Sequence, residues 1–97
     1  MTDPIYNYGL PSPITASTLV YTGKGCVEGI IVSSHTSGTL KLWDSLTGAG
    51  TVLVDTFTYP SGSTTIPLFG AKFLTGLYAD MNGTTQKITV VYNPYLG

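Results

Sequence analysis

Arginine is missing from this 97-residue chain, and charge of either sign is scarce: four lysines face five carboxylates, for a formal net charge of -1. Charged residues make up 9 % of the sequence, where ordinary globular chains carry about a quarter. Neutralising phosphates takes a clustered basic surface, and reading bases leans on arginine forks, so nucleic acid is not an expected partner. Cys26 is the single cysteine; it has no internal disulfide partner, and redox chemistry leaves the compartment open. Although 42 % of the residues are apolar, no run approaches the roughly eighteen uncharged apolar residues of a membrane span. The opening MTDPIYNYG also lacks the basic-then-apolar order of a secretory signal. A membrane partner is therefore not expected. Apolar residues repeating every 3.6 positions are absent too, so helices are expected to be few or none.

Polarity comes instead from sixteen threonines and eight serines. Threonine suits a pleated, half-buried surface, but a neutral hydroxyl surface does little to keep small domains apart. The composition therefore points to an assembly component. A chain of this size supports one domain with a thin core, burying roughly 64 % of its unfolded surface.

Residues 1–13 hold three of the six prolines and, with Ile5, Tyr6, Tyr8 and Leu10, are too apolar to stay solvated. They are expected to form an extended Pro-rich arm, leaving residues 14–97 as the folded domain. There, runs rich in Val, Ile, Thr and Tyr at 15–22, 26–35, 39–44, 51–59, 64–69, 73–80 and 86–93 are separated by glycine-containing turns. Seven to eight strands at about ten-residue spacing predict an all-β fold, a single antiparallel β-sandwich or small barrel. Alternation places Leu40 and Leu42 opposite Lys41 and Trp43. Leu53, Asp55, Phe57 and Tyr59 are expected on one face of the next strand, with Val52, Val54, Thr56 and Thr58 on the other. The final run is apolar on both sides, so its second face must meet the other layer, the arm or another subunit. Asn82-Gly83 predicts a type I′ hairpin, 45–50 a longer hairpin, and Ser61-Gly62-Ser63 a further turn. Pro67 places its run at a sheet edge or a bulge.

Catalytic chemistry is thin. Ser33 and His35 share a face in regular alternation, but neither a nucleophile elbow nor an oxyanion loop accompanies them. Asp44 and Asp55 bracket the 45–50 hairpin yet supply too few ligands for calcium, and they read as edge charges that discourage strand addition. Thr22-Gly23-Lys24-Gly25 lacks the rest of a phosphate loop. Cys26 is expected to be a buried small hydrophobe. The chain is accordingly expected to be no enzyme, with no catalytic residue, no metal and no cofactor. If Lys41 and Trp43 face outward, Trp43 marks a contact surface or, as the alternative, a sugar platform; if they face inward, it belongs to the core.

The run GKGCVEGIIVSSHTSGTLKLWDSLTGAGTVLVDTFTYPSGSTTIPL, followed by FLTGLYADMNGTTQKITVVY, resembles small tailed-bacteriophage virion proteins. The resemblance rests on a glycine-led strand, the "SGTLKLWD" and "GTVLVDT" strands, the "TGLY" stretch and the closing "ITVVY" strand. It covers about residues 23–92 and leaves the arm outside. It implies an all-β module, a single antiparallel β-sandwich of jelly-roll-like form, carried on the virion, of the head decoration (cement) or head-fibre type. Such a protein is made in the host cytoplasm, joins the surface of the phage head as a homotrimer, and stabilises contacts between subunits of the major capsid (coat) protein. The alternative role is a head-fibre or tail-associated module that binds host-surface glycan. The expected interface residues are Ile5, Tyr6, Tyr8 and Leu10 in the arm, Trp43 on the sheet, and Tyr95 and Leu96 at the C-terminus.

Overall fold

Short runs of β-branched residues and threonine pack well as pleated ribbons and poorly as helices, and the structure follows that preference throughout. The computed structural model describes residues 10–35, 38–59, 64–83 and 86–94. Among them are eight strands and no helix: β1 (Leu10–Ile14), β2 (Thr18–Thr22), β3 (Gly25–His35), β4 (Gly38–Thr47), β5 (Ala49–Thr58), β6 (Thr64–Phe73), β7 (Gly76–Gly83) and β8 (Gln86–Pro94). They form two four-stranded sheets, ordered β1-β8-β3-β6 and β2-β7-β4-β5, in which every pairing is antiparallel. Four pairs nest inside one another along the sequence: β1 with β8, β2 with β7, β3 with β6 and β4 with β5.

The core lies between the sheets. Val27, Ile30 and Val32 of β3 and Ile88 and Val90 of β8 meet Leu40 and Leu42 of β4 and Leu77 and Ala79 of β7, all essentially inaccessible to solvent. Burying each such side chain contributes about 1.5–3 kcal/mol. One end of the sandwich is closed by aromatics: Tyr21 stands edge-on to the buried Phe73, centroids 6.3 Å apart, and tilted against Tyr92 at 5.4 Å. The other end is closed by a polar lock. The buried Tyr59 hydroxyl donates to Gln86 Oε1 at 2.7 Å, and Gln86 Nε2 donates to the Asn82 carbonyl at 2.7 Å, which ties the end of β5 to β7 and β8. Gly38, at φ 153°, has to be glycine beside this lock, because a Cβ there would collide with the Gln86 amide and the Asn82 carbonyl.

Several expectations require correction. Residues 10–13, assigned to the arm, belong to β1, which pairs with β8 from Leu10↔Tyr92 to Ile14↔Ile88. Leu10, Ser12 and Ile14 share the register of inward residues; Pro11 and Pro13 take the alternate positions, tolerable because β1 is an edge strand and needs donors on one side only. Asn82-Gly83 does not close a hairpin, since β7 and β8 lie in different sheets and the link crosses between layers. Gly83 has a positive φ of 119° but Asn82 does not, so a type I′ turn is ruled out. The two faces assigned to β5 do not hold either. Leu40 pairs with Phe57, Leu42 with Val54 and Trp43 with Val52, so two one-residue bulges put Val54 in phase with the buried Leu42. The run ending at residue 69 continues through a bulge to Phe73, and β7 starts only at Gly76.

The 45–50 hairpin is present and tighter than expected, with pairing down to Thr47↔Ala49. Pro67 lies on β6, an edge of its sheet. The Ser61-Gly62-Ser63 turn and Ile5, Tyr6, Tyr8, Tyr95 and Leu96 lie outside the described residues.

Replacing Phe73 by Ala empties the closed end of the core and is expected to cost about 3–5 kcal/mol, read as a lower urea midpoint. Burial pushes the Tyr59 hydroxyl up to about 12 from the ordinary tyrosine value. Its ionised form is disfavoured only in the folded chain, so stability holds below the ordinary value near 10 and falls as pH rises toward 12. A pH series of urea midpoints that stays flat over that window in wild type, or that falls equally in Tyr59→Phe, contradicts this assignment.

Candidate functional site

Two places on the sandwich gather polar and aromatic groups on outward faces. The first is the outer face of the β2-β7-β4-β5 sheet. Register aligns Leu19, Tyr78, Trp43 and Val52 in one row across all four strands. Because Leu40 and Leu42 are buried, Lys41 and Trp43 face out, which settles the two orientations left open by the alternation. Trp43 is nevertheless half-buried. The Lys41 ammonium stands 4.4 Å from its ring centroid, and its indole N–H donates to Asp80 Oδ2 at 3.3 Å. Lys41 also lies 3.9 Å from Asp55 Oδ1, a largely exposed carboxylate. The tip of the β4–β5 hairpin bends over this face, so that a Cβ on Gly48 would stand 3.5 Å from Tyr78 Cε1.

The second place is a cleft of about 570 Å³ near the aromatic-closed end, lined by Lys24, Gly25, Cys26, Glu28, Gly70, Lys72, Phe73, Leu74, Asn93 and Pro94. Two facing irregularities create it. In β3, Val27 pairs with Tyr92 and Gly29 with Val91, which makes Glu28 the extra residue of a bulge. In β6, Ala71 pairs with Val27 and Pro67 with Gly29, so Leu68, Phe69 and Gly70 all stand opposite Glu28. Bulges re-aim side chains, and here the Glu28 carboxylate turns into the cleft. Asn93 Nδ2 donates to Glu28 Oε2 at 2.7 Å, and the Cys26 thiol donates to the same oxygen at 3.7 Å. Gly70, at φ 70°, leaves open the space above the carboxylate; a Cβ there would lie 3.7 Å from Oε1.

Phe69 precedes it at φ 57°, the only non-glycine with positive φ among the described residues, and is 88 % exposed. A left-handed conformation costs a side-chain-bearing residue about 1–2 kcal/mol, and this ring returns no core burial. Leu74, at the cleft rim, is 63 % exposed.

Cys26 is half-exposed on the outer face rather than buried, because Gly25 pairs with Phe73 on the core side and Cys26 takes the outward register with Lys72 and Asn93. Partial burial and then the Glu28 carboxylate, which also accepts its S–H, push the thiol up from its ordinary value; Lys72 opposes them only in part. It is therefore a protonated, weakly nucleophilic thiol near neutral pH.

The other residues considered for chemistry are not brought together. Ser33 is the extra residue of a second β3 bulge, with Ser34 opposite Lys87 and His35 opposite Gln86, so the regular alternation that paired Ser33 with His35 is broken. Asp44 and Asp55 serve different ends. Asp44 Oδ1 accepts the backbone N–H groups of Leu74 at 3.0 Å, Thr75 at 2.8 Å and Gly76 at 3.4 Å, capping the β6–β7 turn, whereas Asp55 faces Lys41. Among the described residues, no group of three or more His, Cys, Asp or Glu is placed to hold a metal ion. Of the expected interface residues, the described ones are Leu10, exposed on β1, and Trp43. Glu28, Phe69 and Asn93 were not singled out from the sequence; isolated glycines inside strand-like runs, Gly29 and Gly70, were the available signal of bulges.

The chain matches no protein-family model, no curated protein and no solved structure.

Burial alone would raise the Asp44 carboxyl, but its hydrogen bonds to the backbone of Thr75, Leu74 and Gly76 outweigh burial and hold it below its ordinary value. A carboxylate lowered on folding stabilises fully above its unfolded value, and the contribution fades as pH falls through the lower folded value. Asp44→Ala is thus expected to lower the unfolding midpoint at pH 7. The gap to wild type should narrow in acid, below the ordinary carboxylate value of about 3.9. A gap that is constant from pH 7 to pH 2 contradicts the capping role.

Proposed function

We propose that the chain is a structural virion protein, a capsid decoration protein that binds the outer surface of a phage head as a homotrimer and stabilises contacts between coat subunits. The observation that carries this reading is the strand order, β1-β8-β3-β6 against β2-β7-β4-β5. Its nested pairs support a jelly-roll reading of the sandwich, an architecture used by viral capsid proteins and by lectins. An architecture does not assign a role, and the surfaces supply the rest of the argument. On the outer face of the β1-β8-β3-β6 sheet, Pro11, Ile31, Pro67 and Val91 occupy outward register positions without a charge among them, and Ile31 is 42 % exposed. Between Lys87 at one end of this face and Glu28 and Lys72 at the other, such an uncharged, partly apolar strip is suited to burial against a neighbour. With several identical attachment points per oligomer, individually weak contacts add to stable binding by effective concentration. No covalent chemistry enters this role.

The glycan-binding alternative asks more of Trp43 than its surroundings allow. A sugar platform presents an open aromatic face, and one face of this ring is taken by the Lys41 ammonium while its N–H is engaged by Asp80.

The purified chain is expected to co-sediment with expanded heads of the phage that encodes it and to raise the temperature at which those heads release DNA. Heads left bare and unchanged in melting overturn the proposal. Trp43→Ala is expected to leave adsorption to host cells unaffected; lost adsorption with normal head stability moves the assignment to glycan binding.

A further inference from the structure

Phe69 carries three costs that the isolated chain does not recover: a left-handed backbone conformation, a fully solvated aromatic ring, and a three-residue bulge in an edge strand. Strain of this kind persists where it serves a contact. Next to it lies a cleft with the complementary character. Its accessible apolar rim comes from Leu74 and Pro94, with the buried Phe73 beneath; the fixed Glu28 carboxylate lies inside, and Lys24 and Lys72 stand among the lining residues. An aromatic ring presents a positive edge, which a carboxylate can meet, and a negative face, which an ammonium group can meet. The volume of about 570 Å³ falls within the roughly 300–1,000 Å³ of clefts that hold organic groups.

We infer that the Phe69 ring of one copy of this chain seats in the Cys26–Glu28 cleft of a neighbouring copy. The inference deepens the proposed function: it rests on the oligomeric part of that reading and names the contact through which the copies hold one another. Knob and cleft lie side by side, with Gly70 joining them, so each copy donates one knob and receives one, and a closed assembly satisfies all of them. A second copy is the occupant that the charge supports. At a net charge of -1 the copies scarcely repel, and the Glu28 and lysine groups complement a neutral ring. A single Phe covers about 150–250 Å², short of the roughly 800 Å² per partner of a stable interface. The uncharged strip around Ile31 and Pro67, which continues from the same bulge, adds to that area.

The test uses Phe69→Gly, which removes the ring and relieves the positive φ, so that loss of association is not confused with misfolding. Wild type is expected to sediment as an oligomer that dissociates on dilution. The variant is expected to associate about 30-fold or more weakly, as on losing a central aromatic anchor, with an unfolding midpoint unchanged or raised. Cys26, the sole thiol, reports on the cleft directly: its alkylation by iodoacetamide should slow as wild-type concentration rises and should not depend on concentration in the variant. A variant that associates like wild type overturns the inference, as does a thiol equally reactive in monomer and oligomer. Wild-type protein that is monomeric in solution yet still decorates heads overturns this contact while leaving the virion reading in place.

Discussion

Alternation with a period of two has to stay in phase with a single thin core even where long strands bend, and the rest of the molecule depends on how that conflict is settled. It is settled by bulges. Register shifts at Val20, Glu28, Ser33 and twice along β5 let each strand curve and return its apolar residues to the interior. Each such reset adds a residue to the pairing: Val20 and Leu53 turn back to the core, whereas at Glu28 and in the facing bulge of β6 the side chains turned outward become surface chemistry. The Glu28 carboxylate and the Phe69 ring both stand where they do because β3 and β6 accommodate the same bend by inserting different numbers of residues. The distinctive surface of the molecule is thus a by-product of keeping its core continuous.

The scarcity of charge takes on a structural meaning in the same light. Within the described residues each carboxylate has a defined partner: Asp44 the backbone of the 74–76 turn, Asp80 the Trp43 indole, Asp55 the Lys41 ammonium, and Glu28 the Asn93 amide together with the Cys26 thiol. They act as acceptors for nearby donors, and the low count of charged residues leaves little to hold other molecules at a distance. The polar surface is made largely of hydroxyl groups, which tolerate burial against a neighbour far better than ions do.

What the sequence reveals follows from which forces act locally. The number and positions of most strands, the all-β character of the described residues and the 45–50 hairpin were legible, because side-chain propensity and glycine turns are short-range signals. β1 was missed because Pro11 and Pro13 argue against a strand in general, and only its edge position beside β8 makes them acceptable. Asn82-Gly83 misled for the opposite reason: a strong local turn signal is overruled when the two flanking strands have better partners in opposite sheets. The cleft was the least legible feature. It depends on a register difference between β3 and β6, residues some forty positions apart in sequence, and only the two glycines beside the bulges hint at it.

The nested pairing carries a consequence for how the molecule comes into being. In its sheet, β8 lies between β1 and β3, so the strand synthesised after the other seven occupies an interior position. Until it emerges, β1 has no neighbour at all, and β3 presents a bare edge along a run as apolar as Gly29-Ile30-Ile31-Val32. Until β8 joins, one side of the apolar β3 therefore stays open to other chains. Closure joins strands far apart in the sequence, the kind of long-range pairing that makes folding slow.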